Sequence, residues 1–136
     1  MKTESATYYI AVDLGATSGR LILALFDGEK ISTEELHRFK HPMLPIADHL
    51  FWNLPGLYHE ILTGLKTAAE KLNSLGSKAR SIGIDTWGCD VAYFHADGTL
   101  AGLPYCYRDP HTTGAVDKFC EDISKETVYG KTGIQF

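Results

Sequence analysis

The chain has 136 residues, 44% of them hydrophobic and 22% charged, which is the composition of a globular domain with one core. A formal net charge of −4 leaves no basic footprint, so neither nucleic acid nor an anionic membrane surface is expected as the main partner. No apolar run is long enough to span a membrane and residues 1–7 are too short and polar for a leader, which predicts a cytoplasmic protein.

Residues 8–14 form an apolar, strand-like run that delivers Asp13 near its end. Gly15, Ala16, Thr17, Ser18, Gly19 and Arg20 follow at once. Two glycines there permit a tight turn with N–H groups facing an anion, yet the same residue types also make an ordinary hairpin turn. Residues 21–27 read as a strand running back and, after the Asp27-Gly28 turn, residues 32–41 as a third, so the first forty residues predict an antiparallel meander. Pro42, Pro45 and residues 47–49 break the pattern and predict an irregular connection over one sheet edge, closed by Trp52.

Asn53 and Pro55 predict a helix start, with Asn53 as cap and proline in the first turn, where its missing N–H is not needed. Leu57, Ile61, Leu65, Ala68 and Leu72 then recur at spacings of three and four as one apolar stripe, and residues 73–76 end the helix. Residues 81–88 read as a buried strand delivering polar and glycine residues at its carboxyl end. A helix separates this strand from the third, which predicts a parallel crossover. Residues 91–103 predict a hairpin turning at Asp97-Gly98, and residues 104–109 continue extended. Thr112 or Thr113 is expected to cap a second amphipathic helix whose Val116, Phe119, Cys120 and Ile123 pack on the sheet. The last residues, apolar at Phe136, read as an interruption of a longer chain.

Cys89, Cys106 and Cys120 fit neither a metal clip nor a disulfide framework, and they are expected as reduced, semi-buried thiols. The six histidines show no ligand spacing, so no structural zinc is predicted. The lysine-bearing P-loop and the GxGxxG fingerprint are both absent. A turn between antiparallel strands remains: it would grip phosphates through backbone N–H groups, Thr17 and Ser18, with Asp13 turned toward a hydrated Mg2+.

Five motifs in order carry a resemblance: DLGATSGR at residues 13–20, HRF at 37–39, GIDTWGCD at 83–90, GLPYCYRD at 102–109 and TGIQF at 132–136. Together they resemble the amino-terminal part of the rhamnulokinases, which are FGGY carbohydrate kinases of the actin, hexokinase and Hsp70 superfamily. The resemblance implies an α/β fold, an RNase H-like (actin-like ATPase) mixed sheet with a three-stranded antiparallel meander, a crossover helix and a parallel strand. It also implies that residues 1–136 are a partial first domain, the rest of that domain and a second domain lying outside them.

By the same resemblance, Ala16, Thr17, Ser18, Gly19 and Arg20 approach the phosphates of ATP, and Asp13 lies near Mg2+. Gly88 is the glycine whose backbone lies against the sugar, with Asp85, Trp87 and Asp90 around it. The implied reaction moves the γ-phosphoryl group of ATP to the 1-hydroxyl of L-rhamnulose in rhamnose catabolism. L-Fuculose or L-xylulose are the related ketoses to weigh against it, and a non-catalytic binding module of the same fold is the alternative outside enzymes. The base that takes the hydroxyl proton is expected from a later segment, leaving no catalytic residue in this chain and the chain alone inactive. Faces that later elements would cover are expected to drive self-association.

Plainer roles stand beside these. Trp87 also fits sheet packing, Asp85 a turn cap, Arg20 a surface position at a strand exit, and Arg108 with Asp109 a buried pair holding residues 105–109.

Overall fold

The computed structural model describes residues 6–135. Residues 1–5, on which the reading of no leader partly rests, and Phe136, the last residue of TGIQF, lie outside the described residues. Strands β1 (Thr7–Leu14), β2 (Ser18–Phe26) and β3 (Ile31–Lys40) make the expected meander. Helix α1 (Leu54–Ser74) then crosses to β6 (Ala79–Thr86), which pairs parallel with β1, giving a sheet of order β3-β2-β1-β6.

One face of this sheet is filled by period-two alternation. Ile10, Val12 and Leu14 of β1 point to the same side as Leu21 and Leu23 of β2 and Phe39 of β3, and all are buried. Against them α1 lays Leu57, Ala68 and Leu72, with Ile61 and Leu65 partly buried beside them, as the stripe predicts. Asn53 caps the helix by accepting the Gly56 N–H at 3.1 Å, and Pro55 sits in the first turn. Two polar ties hold α1 to β3: His37 Nε2 lies 2.7 Å from Glu60 Oε2, and Lys71 Nζ lies 3.0 Å from Glu34.

Five expectations need correction. The connection after β3 is not irregular: β4 (Met43–Ile46) and β5 (His49–Trp52) form a hairpin, and the turn between them holds Ala47 at φ 51, a left-handed conformation without glycine. Residues 104–106 extend this small sheet through Trp52 N–H to Pro104 O and Cys106 N–H to Leu50 O, each 2.8 Å. Strand β6 is not buried. Ile82 and Ile84 register with Ile10 and Val12 and share their face, but α1 lies over β2 and β3, leaving these isoleucines 53% and 62% exposed.

The second helix, α2 (Ala115–Asp122), is capped by Gly114 and not by a threonine, since Thr112 lies in the 3-10 turn Pro110–Thr112. Val116, Phe119 and Ile123 are exposed, so α2 does not pack on the sheet; a short unpredicted helix, α3 (Lys125–Thr132), follows it. The thiols differ from one another, and not all are semi-buried: Cys106 is fully buried, Cys89 exposed and Cys120 in between, none of them in a disulfide. The expected Asp-Gly hairpin is present in minimal form, with Gly98 at φ 84 and a bridge between Phe94 and Leu100.

Candidate active site

Register places the turn after β1. Because Leu14 pairs with Gly19, residues 15–18 make the turn, Ser18 being also the first residue of β2, and Gly19 and Arg20 lie within β2. Gly15 donates its N–H to Ser18 O at 3.0 Å, closing the turn. The N–H groups of Ala16 and Thr17 bond to nothing among the described residues, so two donors remain for an anion. Neither Gly15 nor Gly19 has a positive φ. Glycine is required at 19 for packing: a Cβ there would sit 2.6 Å from Phe39 Cε2 and closer still to Cζ.

Asp13 and Arg20 face each other across β1 and β2 on the sheet face opposite α1. Arg20 donates Nε and Nη2 to Asp13 Oδ2, each at 2.6 Å. Both side chains are partly exposed, so the pair is worth up to about 1 kcal/mol. Arg20 is therefore a partner of Asp13 and not a loose surface residue. The row continues in both directions: Arg38 of β3 registers with Arg20, and Asp85 of β6 registers with Asp13. Arg38 is occupied by Glu35, whose carboxyl its guanidinium holds below the usual range. Asp85 caps no turn; it is exposed, and its side chain makes no hydrogen bond among the described residues. Two carboxylates on adjacent parallel strands, one of them neutralised, suit a hard cation that keeps several waters.

The loop after β6 brings Trp87, Gly88 and Asp90 together. Trp87 Nε1 donates to Asp90 Oδ2 at 2.7 Å, and Trp52 Nε1 donates to the same oxygen at 2.6 Å. The two indoles lie 4.8 Å apart between centroids, and Trp87 packs against the core, so its packing role is real. Gly88 is exposed, and a Cβ added there would meet nothing within 4 Å. Asp90 also lines a cavity of about 550 Å³ with Cys89, Tyr93, Tyr105, Tyr107 and His111.

Asp109 is buried as expected, but its partner is not Arg108, which is exposed and rests on the Tyr107 ring. Its carboxylate accepts the Leu50 N–H at 2.6 Å and the His111 N–H at 2.8 Å, and meets His111 Nδ1 at 2.9 Å and His49 Nδ1 at 3.2 Å. Burial pushes this carboxyl up, but the Leu50 and His111 N–H groups and the two imidazoles outweigh it and bring it down to about 2. Asp109 thereby ties β5 to the segment that walls the cavity. Sequence reasoning missed His49 because its contact with Asp109 spans 60 residues, and it missed His111 although the Asp-Pro-His turn was a local sign of that contact. It also missed His41 and gave Trp52 no chemical part.

No family model matches the chain. Curated relatives do: a rhamnulokinase of Bacteroides thetaiotaomicron is 47% identical over 93% of the chain and 25% of its own length. Rhamnulokinases of Mannheimia succiniciproducens and Ligilactobacillus salivarius are 45% and 41% identical over 93% and 94% of the chain, and 26% of their own lengths. Among solved structures, a gluconate kinase and a ligand-bound xylulose kinase, both from Lactobacillus acidophilus, superpose with TM-scores of 0.71 and 0.70 at 14% identity. They match over 96% and 93% of the chain and 25% of their own lengths. The fold is thus the mixed sheet of the sugar kinases, as the meander and parallel crossover require. The chain spans about a quarter of the length of the curated relatives it matches, and across that stretch it is similar to the rhamnulokinases.

Proposed function

We propose that this chain carries part of the ATP-phosphate site and part of the sugar site of a kinase that phosphorylates L-rhamnulose on its 1-hydroxyl. One observation carries the reading. Strand register sets Asp13, Arg20 and Asp85 side by side on one sheet face, next to a turn whose Ala16 and Thr17 N–H groups are open. In this reading Ala16, Thr17 and Ser18 bind phosphate oxygens and Arg20 both steadies Asp13 and adds positive charge. Gly19 serves them by letting Phe39 press against the strand. Asp13, with Asp85 alongside, would hold Mg2+ through water; when bound, the ion neutralises charge on the transferring phosphoryl group. Gly88 lets the sugar approach the backbone. Asp90, whose Oδ2 is committed to two indoles, offers Oδ1 to a sugar hydroxyl.

Phosphoryl transfer needs a carboxylate to take the hydroxyl proton and a closed site that excludes water. In the proposed kinase that base and the adenine-binding domain come from outside these 136 residues. The test has two parts. Calorimetry on the chain should detect ADP with Mg2+, and an Asp13→Asn variant should bind it at least about tenfold more weakly. With ATP, Mg2+ and L-rhamnulose, ADP release should stay at background; robust turnover would overturn the placement of the base. On a longer kinase carrying this sequence, equal rates with L-rhamnulose, L-fuculose and L-xylulose would remove the sugar assignment.

The exposed Ile82 and Ile84 and the exposed apolar side of α2 support self-association. Light scattering should show mass rising with concentration, and a constant monomer mass at high concentration would overturn this.

A further inference from the structure

His41 follows β3 directly and is 5% exposed, and no role has been assigned to it. It grips the turn twice. Its backbone N–H donates to Thr17 O at 3.2 Å, and its Nε2 lies 2.6 Å from Gly15 O, so Nε2 carries the ring proton. On its other side the ring stacks on Trp87, with centroids 5.3 Å apart and planes 15° from parallel, and touches Trp52 at 5.5 Å. Its Nδ1 is buried with no partner, the only such side-chain atom among the described residues. An orphaned acceptor of this kind opposes stability. Phenylalanine would fill the stack without it, and glutamine could donate to Gly15 without it. Of the three, imidazole alone offers a flat ring and an N–H aimed at Gly15 together.

We propose that His41 is a positioning residue that couples the turn at residues 15–18 to the Trp87–Asp90 loop, an inference that rests on the phosphate and sugar roles proposed above for those two segments. When phosphates draw on the Ala16 and Thr17 N–H groups, the turn shifts, Gly15 O carries the imidazole with it, and the stacked Trp87 follows. Both indoles hold Asp90 Oδ2, so the Asp90 carboxylate is re-aimed in the same movement. Nucleotide bound on one side thereby sets the geometry offered to sugar on the other.

The chain has two tryptophans, and both touch His41, so their indole Nε1–H resonances report directly. Loosening the turn with Ala16→Gly should shift the Trp87 resonance in the native chain. In His41→Phe, which keeps the stack but loses the donor, and in His41→Gln, which keeps a donor but loses the stack, the same substitution should produce no further shift. An undiminished shift in both backgrounds would overturn the coupling. Should neither variant fold, the native background still decides: across Ala16→Gly, Thr17→Ala and Ser18→Ala the His41 Nε2 and Trp87 Nε1 shifts should rise and fall together, and independent variation would overturn it. Adding ADP with Mg2+ separates this idea from the one beneath it. If calorimetry detects binding, the indole shift on binding should be lost in His41→Phe, and its persistence counts against the coupling. If nothing binds, the phosphate reading of the turn fails while the turn variants alone decide the coupling.

Discussion

Gly19→Ala separates two reasons for a glycine beside a phosphate-type turn. The φ of Gly19 is not positive, so alanine fits the backbone and, in open space, would stabilise by about 0.5–1 kcal/mol through the unfolded state. The space is not open. The new methyl would stand 2.6 Å from Phe39 Cε2 and 3.0 Å from Cε1, where carbon atoms in good contact keep about 3.5–4.0 Å. The ring would have to retreat by roughly 1 Å, between two histidines that flank it at 5.5 Å and 6.3 Å. Overpacking of this kind costs about 1–3 kcal/mol, which exceeds the gain and reverses its sign. With the gain subtracted the net loss is up to about 2.5 kcal/mol, so for a domain of this size the melting temperature should fall by up to about 10 °C. Thermal unfolding followed by circular dichroism would read it. Adding Phe39→Leu should recover part of the loss, with a coupling of about 1 kcal/mol or more between the two sites. A stable Gly19→Ala protein, or strictly additive effects, would refute the packing argument and return the glycine to a role in phosphate approach alone.

Gly88→Ala should behave in the opposite way: nothing lies within 4 Å of the added methyl, so stability should stay within about 0.5 kcal/mol of the parent while L-rhamnulose binding, measured by calorimetry, weakens at least about tenfold. A loss of stability with unchanged sugar binding would reverse that reading. Asp109 sets an acid limit. Its folded carboxyl lies near 2, below the ordinary 3.8, so its contribution is present in full above about pH 4 and is lost as pH falls toward about 2. Urea midpoints across that window should fall in the native chain and flatten in Asp109→Asn, which should already be the weaker of the two near neutral pH; identical slopes would exclude Asp109 as the group responsible. Leu21→Ala, which empties a fully buried position opposite Gly64, should cost about 2–5 kcal/mol, and a midpoint change below the lower figure would show that α1 collapses onto the gap.

The meander and α1 were legible because each is written locally: alternating apolar residues for β1 and β2, and an Asn53 cap, Pro55 and a three-four spacing for the helix. The β4–β5 hairpin was not, because Pro42 and Pro45 signal a break and its turn uses Ala47 at positive φ where glycine would announce it. Pro45 is tolerated because β4 pairs on one side only. Strand β6 reads as buried from its isoleucines, but burial depends on what lies over a strand, and α1 covers the other end of the sheet. Within the site, Asp13 and Arg20 could be picked out singly, whereas their pairing needed the register. The side chains that join the site's parts were invisible: His41 reaches Gly15 across 26 residues and His49 reaches Asp109 across 60, with no local pattern to mark either contact.

The register that aligns Asp13, Arg20 and Asp85 is protected from the opposite side of the same strands. A one-residue slip of β2 against β1 would exchange faces, sending Arg20 toward α1 and Leu21 into water. A guanidinium buried there would lose its pairing with Asp13, which faces the other way. Two close approaches fix the strand against such a slip. Phe39 presses on the bare backbone of Gly19, and the bare Gly64 lets α1 come so near that a Cβ there would lie 2.9 Å from Leu21 Cδ1. A slip of β2 breaks both, taking Gly19 out from under Phe39 and Leu21 out from under Gly64. The chemical face therefore needs no packing of its own to be ordered. Its charges and the open N–H groups of Ala16 and Thr17 stay exposed to a ligand because the apolar face alone determines where β2 lies.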